Sequence, residues 1–156
     1  MLQNLNFKPR YNSDYDSLLN DFFIPALKEA YTYDRAVSYF SSKALIEAAE
    51  GLSIFVKNKG KIRLIINTFI NIDDYDALNI DSKKDEIIKK YGLNIQDAYE
   101  KFNDDLSAFR IECLSWLVAN GQLEIKVAYR KFGIFHWKEG IIRDKQNSVV
   151  VFNGSM

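Results

Sequence analysis

A histidine and a lysine two positions apart, His136 and Lys138, are the residues of this sequence best suited to chemistry. His136 is the only histidine in the chain, so any imidazole chemistry depends on it. If this segment forms a β-strand, its side chains alternate between the two faces, and His136 and Lys138 project from the same one. An imidazole and an ammonium satisfy each other poorly, but together they suit a phosphate. The ammonium holds the oxygens while the ring acts at phosphorus.

Further polar groups lie close to this pair in the sequence. Gly154 and Ser155 end a hydrophobic segment, and their backbone N–H and hydroxyl groups suit the same phosphate oxygens. Asp144 lies downstream of Lys138 in a polar segment that reads as a hairpin turn. Ser41 is most simply a helix cap, although the amino end of that helix could also face an anion.

These residues resemble a known motif. His136-x-Lys138, the downstream Asp144 and the pair Gly154-Ser155 look like the HKD motif of the phospholipase D superfamily. The surrounding sequence resembles the phospholipase D-like domains found at the N-termini of bacterial helicase-related and restriction-type proteins. The resemblance covers roughly residues 33–156 and rests on three blocks, Tyr39-Phe40-Ser41-Ser42, 121–127 and 140–144.

The resemblance implies a phosphodiesterase that needs no metal and no cofactor. One histidine attacks phosphorus and becomes a phosphohistidine, a second protonates the leaving oxygen, and lysines stabilise the charge. One imidazole cannot be nucleophile and general acid in the same step. A chain with one such motif therefore predicts a two-fold homodimer with both His136 side chains in one cleft, unless a second motif lies downstream.

Two positions depart from the family pattern. Five residues separate Lys138 from Asp144, where four are usual, so Asp144 either fills the family's aspartate role or belongs to the turn. The family's phosphate-binding Asn follows Gly-Ser after one further residue, and here the sequence ends at Met156, just before that position. We therefore expect a domain truncated at its C-terminus, with helicase domains possible downstream in the whole protein.

The elements that must position the motif read as one α/β domain. The predicted strands are 35–40, 61–67, 123–129, 133–143 and 148–153. The predicted helices are one opened by Ser13 and Asp16 and kinked or split at Pro25, one over 42–60, a short one over 82–92, and a long one over 95–120 that stops at Gly121. This order predicts a mixed, largely parallel sheet flanked by helices, with residues 1–12 as an irregular arm.

Composition narrows the function classes. The 156 residues carry 21 basic and 21 acidic side chains, so a generally basic nucleic-acid coat is excluded. Residues 126–145 nevertheless hold six cations against two carboxylates, which favours a phosphodiester or is simply a solvated hairpin. One cysteine excludes an internal disulfide, and Asp73, Asp74 and Asp76 lack further ligands, so no metal site is expected. Without a signal peptide or a long apolar run, we expect a cytoplasmic protein that contacts no membrane.

The sequence thus favours a nuclease-type phosphodiesterase that acts on nucleic acid, with DNA the expected substrate. The alternative is a non-catalytic nucleic-acid-binding or dimerisation module of the same fold, in which His136 and Lys138 are surface residues of an edge strand. A phospholipase is a weaker candidate, because no interfacial amphipathic helix with a basic face is evident.

Overall fold

A five-stranded mixed sheet forms the centre of the molecule in the computed structural model, which describes residues 1–38, 47–66, 106–128 and 135–154. The strands are β1 (Thr32–Val37), β2 (Lys61–Ile66), β3 (Leu123–Val127), β4 (Lys138–Arg143) and β5 (Val149–Asn153). Within these ranges the α-helices are α1 (Ile24–Glu29), α2 (Ala49–Lys57) and α3 (Leu106–Ala119).

The strand order is β3-β2-β1-β4-β5. β1, β2 and β3 are mutually parallel, β4 is antiparallel to β1, and β5 is antiparallel to β4. Four strands therefore run in one direction and β4 alone runs against them. The prediction of an α/β fold with a mixed, largely parallel sheet flanked by helices is confirmed.

The reversal of β4 defines one end of the sheet that we call the carboxyl edge. There β1, β2, β3 and β5 end, while β4 begins, and the residues at this edge are Val37, Ile66, Val127, Asn153 and Lys138. Ligands of open α/β sheets characteristically bind beyond the carboxyl ends of the strands. Both ends of the predicted motif, Lys138 and Gly154, lie at this edge.

Side chains alternate between a face covered by helices and an open face. In β2, Ile62, Leu64 and Ile66 are buried, while the residues between them are exposed. The covered face continues across the register through Tyr33 and Ile142. It packs against buried helix residues, among them Leu27, Leu52, Phe55, Leu114 and Leu117. Burial of each such large apolar side chain contributes roughly 1.5–3 kcal/mol, so this layer is the main source of stability.

The first helical segment begins later than the sequence predicts. A π-helix spans Leu18–Phe23, and its N-cap is Ser17, whose hydroxyl accepts a hydrogen bond from the amide of Asn20 (3.3 Å). The prediction of a capping box at Ser13 is therefore wrong. Pro25 lies in the first turn of α1 and divides the two helices, since it has no N–H to continue the hydrogen-bond ladder.

The N-terminal arm, residues 1–12, is irregular apart from a short 3₁₀ turn at Leu2–Asn4. It is nevertheless packed, because Leu2 is only 2% exposed. The rings of Phe7 and Tyr11 lie 5.1 and 5.6 Å from that of Phe22. The arm therefore belongs to the hydrophobic core.

The remaining elements agree with the sequence in type and differ in their ends. β1 begins at Thr32, three residues before the predicted start. The described part of the long helix ends as predicted at Gly121, which has a φ of +70° and donates its amide to the carbonyl of Val118 (3.0 Å). The predicted short helix over 82–92 lies outside the described residues. Within the described ranges, no helix is long and apolar enough to cross a membrane.

Candidate active site

Lys138 and His136 lie where β4 enters the sheet at the carboxyl edge. Lys138 pairs with Val37, and the amide of Ser38 donates to the carbonyl of Trp137 (2.9 Å), which continues the ladder by one residue. Lys138 is half-buried and His136 is exposed. The imidazole forms no hydrogen bond with any residue of the described ranges.

Contacts on the opposite side of this segment show which way the two side chains face. The ring of Phe135 stacks on that of Trp137, with centroids 6.5 Å apart, and Trp137 Nε1 donates to Glu139 Oε2 (2.8 Å). These three side chains share the side of the open face. Alternation then puts His136 and Lys138 on the side of the covered face, whereas the sequence predicts only that they share a face.

Gly154 adjoins Lys138 at the same edge. Its amide donates to the carbonyl of Lys138 (2.8 Å), and its φ of +145° is a conformation that side chains disfavour. The structure thus puts Gly154 beside Lys138, and His136 lies two residues before Lys138. The Gly154 amide is already bonded to the Lys138 carbonyl and is not available to a phosphate. Ser155 and Ser41, the other predicted phosphate ligands, lie outside the described residues.

Arg35 is a member of this site that sequence reasoning missed. Its side chain belongs to the covered face and only 8% of the residue is exposed. Nη2 donates to the carbonyl of Gly154 (2.5 Å), and the guanidinium carbon lies 5.0 Å from the ring centroid of Phe152. Nη1 is buried and has no hydrogen-bond partner within the described ranges.

A glycine makes room for the Phe152 ring that contacts this arginine. Gly140 pairs with Arg35 on β1 and with Phe152 on β5. A Cβ added at Gly140 would lie 2.2 Å from Phe152 Cζ, so the aromatic ring occupies the space that a side chain would need. The ring in turn supports the guanidinium, a favourable cation–π arrangement. The sequence signal was the alternation Tyr33, Arg35, Val37, which assigns Arg35 to the covered face.

The electrostatics of Arg35 are those of a buried cation without a carboxylate. Burial lowers its pKa, although an arginine stays protonated at neutral pH. Burial also raises the pKa of the neighbouring Tyr33 to about 12, so that phenol is neutral and supplies no countercharge. No carboxylate in the described ranges pairs with Arg35. An anion is the group that this arrangement would stabilise.

Asp144, the predicted acidic member of the motif, lies at the other end of β4. Six residues of extended strand separate it from Lys138, about 20 Å. Asp144 is 3% exposed, and its carboxylate accepts hydrogen bonds from the amides of Leu2, Gln146 and Ser148, each at 2.9 Å. Burial raises its pKa, but these bonds outweigh burial and leave the pKa below its usual value. The structure therefore does not bring Asp144 to His136 within one chain.

The basic segment 126–145 is also distributed more widely than its local charge suggests. Arg143 Nη1 lies 2.9 Å from Asp34 on the open face, and Lys126 lies 3.2 Å from Glu124. Lys145 lies over the ring of Tyr31, at the end opposite the carboxyl edge. Of the cations of this segment that the structure describes, only Lys138 joins His136, and the second cation of the site, Arg35, comes from β1.

Metal-binding residues do not converge in the described part of the chain: no three histidine, cysteine, aspartate or glutamate side chains form a cluster there. The acidic residues Asp73, Asp74 and Asp76 lie outside it. Comparisons with protein-family models, with curated proteins and with solved structures found no match to this chain.

Proposed function

We propose that this chain is a cytoplasmic, nuclease-type phosphodiesterase domain that hydrolyses nucleic-acid phosphodiester bonds through a phosphohistidine. The observation that carries this proposal is the shared side of His136 and Lys138 at the carboxyl edge, next to Gly154. A nucleophile and a cation within one small region are two of the groups that phosphoryl transfer requires. The Gly154 amide already donates to the Lys138 carbonyl, so we assign it no part in phosphate binding. The resemblance to phospholipase D-like domains of helicase-related and restriction-type proteins supports the same class.

The proposed reaction has two steps. A neutral ring nitrogen of His136 attacks phosphorus, the bond from phosphorus to the leaving oxygen breaks, and His136 of the partner subunit gives that oxygen a proton. Water then attacks the phosphohistidine, loses a proton to the same second imidazole, and releases a phosphate monoester. The first imidazole is regenerated and no electrons are exchanged. A homodimer is therefore part of the proposal.

Lys138 is assigned the role of binding the phosphoryl oxygens, whose negative charge is then stabilised in both steps. Ser155 and Ser41 keep their proposed roles as phosphate ligands on the strength of the sequence alone. Asp144 is not assigned a role within its own chain, since its carboxylate is buried and its oxygens accept three backbone amides.

A second candidate is a nucleic-acid-binding or dimerisation module without catalysis. The observation in its favour is the exposed imidazole of His136, which has no hydrogen-bond partner in the described ranges. Catalytic imidazoles are usually held in one tautomer by such a partner. In this second function, Lys138 contacts a phosphate and no bond is broken.

Hydrolysis of bis-p-nitrophenyl phosphate in EDTA tests the first candidate. We expect turnover in wild type that EDTA does not reduce, and a loss of at least about 100-fold in His136→Ala, the size usual for removal of one acid–base group. Trp137→Phe is the matched control, since it changes the next residue on the other side of the strand and should keep full activity. Protein quenched in alkaline denaturant should also carry a phosphate that is stable to alkali and released by acid. Absence of turnover in wild type, or equal turnover in His136→Ala, would contradict the proposal.

The same preparations separate the two candidates. If no substrate is hydrolysed but a labelled oligonucleotide binds, with affinity that falls as salt rises, the binding module is the function. Parallel DNA and RNA oligonucleotides of one sequence then identify the nucleic acid. A protein that neither hydrolyses nor binds would rule out both candidates.

A further inference from the structure

Arg35 carries a buried nitrogen, Nη1, that has no hydrogen-bond partner in the described ranges. Three buried side-chain atoms lack a hydrogen-bond partner in the described ranges: Thr32 Oγ1, Trp116 Nε1 and Arg35 Nη1. Only the last belongs to a charged group. An unpaired buried charge is far more expensive than an unpaired hydroxyl or indole, so this position favours a bound countercharge.

The guanidinium is also held in a fixed orientation. Nη2 donates to the Gly154 carbonyl at 2.5 Å, and the guanidinium carbon lies over the Phe152 ring, 5.0 Å from its centroid. Because Gly154 is itself bonded to Lys138, the guanidinium is directed toward the carboxyl edge. One nitrogen of the fork is thus used for anchoring and the other remains for a ligand. Arginine binds phosphate in this way, with its donors arranged in advance.

We propose that Arg35 is a substrate-binding residue whose Nη1 donates a hydrogen bond to a non-bridging oxygen of the phosphoryl group. The choice of a phosphodiester as the ligand rests on the proposed function; the binding step itself does not require turnover. Lys138 supplies the second cation, so the anion lies on the covered-face side of the sheet, at the carboxyl edge where Val37 pairs with Lys138. Since Nη1 is covered in the free chain, entry of the anion shifts neighbouring groups at this edge, including the amide of Gly154.

A purely structural role for Arg35 makes the opposite prediction for stability. If the arginine serves only to hold Gly154, replacing it removes a useful bond and lowers the melting temperature. If it serves a ligand, Arg35→Met removes an unpaired buried charge and leaves an apolar side chain of similar length against Phe152. Such replacements are often neutral or stabilising. We therefore expect Arg35→Met to melt at or above the wild-type temperature without anion.

The test measures melting temperature and affinity with inorganic phosphate and, separately, with diethyl phosphate, at constant ionic strength adjusted with chloride. Wild type should be stabilised increasingly with anion concentration. Arg35→Met should show no such shift, and Arg35→Lys should bind at least about tenfold more weakly, because a single ammonium nitrogen cannot hold the Gly154 carbonyl and reach the anion as the two fork nitrogens of arginine do. Arg63→Met is the matched control, since it removes the same charge from the open face and should respond like wild type. Diethyl phosphate binding indicates a phosphodiester ligand, whereas phosphate binding alone indicates a free phosphate site.

Equal anion shifts in Arg35→Met and wild type, or no shift in wild type, would overturn the inference. If Arg35→Met does not fold, wild-type ¹H–¹⁵N spectra decide: the Arg35 Nε–H and Gly154 amide signals should move with phosphate, and those of Arg63 should not. The outcome is separable from that of the proposed function. Anion binding through Arg35 in His136→Ala, without hydrolysis in wild type, supports this site and rejects the enzyme; hydrolysis unaffected by Arg35→Met does the reverse.

Discussion

The carboxylate of Asp144 accepts a hydrogen bond from the backbone amide of Leu2 at 2.9 Å, across 142 positions of sequence. The same carboxylate accepts the amides of Gln146 and Ser148 in the β4–β5 turn. One buried side chain therefore joins the N-terminal arm to the hairpin that carries the candidate site. A residue that the sequence presents as a member of a catalytic motif acts here as a structural tie.

Replacement of Asp144 should reduce stability strongly. In Asp144→Ala three backbone amides lose their acceptor, and we expect a loss of about 2–4 kcal/mol, since hydrogen bonds to charged groups contribute roughly 1.5–3 kcal/mol each and are not additive. Asp144→Asn keeps one acceptor oxygen and should lose less. Urea unfolding measures the difference. Asp14→Ala, at an exposed carboxylate, is the control, and its free energy of unfolding should stay within about 0.5 kcal/mol of the wild-type value. An equally small effect of Asp144→Ala would refute the structural role.

Acid should remove the same contribution. The folded-state pKa of Asp144 is lowered from its usual 3.8, because hydrogen bonds outweigh the opposing effect of burial. A lowered pKa gives stability that is present above pH 3.8 and is lost as pH falls through the folded value. The unfolding free energy of wild type should thus fall more steeply than that of Asp144→Asn below about pH 4. Parallel pH profiles of the two proteins would contradict this.

Gly140 should tolerate no side chain while Phe152 lies against it. In Gly140→Ala the new Cβ would meet the ring at 2.2 Å, and we expect a loss of about 1–3 kcal/mol, the usual cost of overpacking. Phe152→Leu in the same chain should recover part of that loss. Gly154→Ala is the contrasting variant, since its Cβ would have open space and its penalty comes from φ, so Phe152→Leu should not relieve it. Additive effects in the first pair would show that the close contact is unimportant.

The thiol of Cys113 should report unfolding. It is 5% exposed on α3, and burial raises its pKa to about 12. The reactive thiolate is therefore both scarce and covered at pH 8. We expect Ellman's reagent to label one thiol at once in 6 M guanidinium chloride, and to label the native protein at least about 100-fold more slowly. Rapid labelling of native protein would mean that α3 opens readily.

The proposed dimer predicts a specific response to mixing. Light scattering should give the mass of two chains. If each active site needs both imidazoles, unfolding and refolding wild type with His136→Ala should reduce activity as the square of the wild-type fraction, because only wild-type pairs hydrolyse. Mixing with Trp137→Phe should leave activity unchanged. A linear decrease with His136→Ala, or a mass of one chain in an active preparation, would exclude shared active sites.

Local sequence patterns were sufficient for most of the fold. The apolar segment 61–67 predicted the strand β2, and Gly121 ended the long helix because only a residue that adopts positive φ readily suits that position. The two-residue period of a strand put His136 and Lys138 on one side. Ser13 failed as a cap because Ser17 offers the same local chemistry. In the helical segment that follows Ser17, Phe22 and Phe23 pack into the core against residues distant in sequence.

The composition of the site could be predicted only in part. Arg35 escaped because its role depends on Gly140 and Phe152, which lie more than 100 positions away and meet it only through the sheet register. Asp144 was grouped with Lys138 because both belong to one short motif. The rise of an extended strand, about 3.4 Å per residue, already separates them widely. Closeness along a strand is a poor guide to closeness of side chains.

The central position of β1 has a consequence for synthesis on the ribosome. Thr32 pairs on one side with Lys61, which follows soon after it, and on the other with Arg143, more than 100 positions later. As the nascent chain emerges, one side of β1 has no strand partner until β4, more than 100 positions later, has been translated. An unpaired strand edge exposes backbone N–H and C=O groups, which can pair with the strands of other chains. We therefore expect that chaperones that bind the nascent chain increase the yield of folded protein more than they change its folding rate.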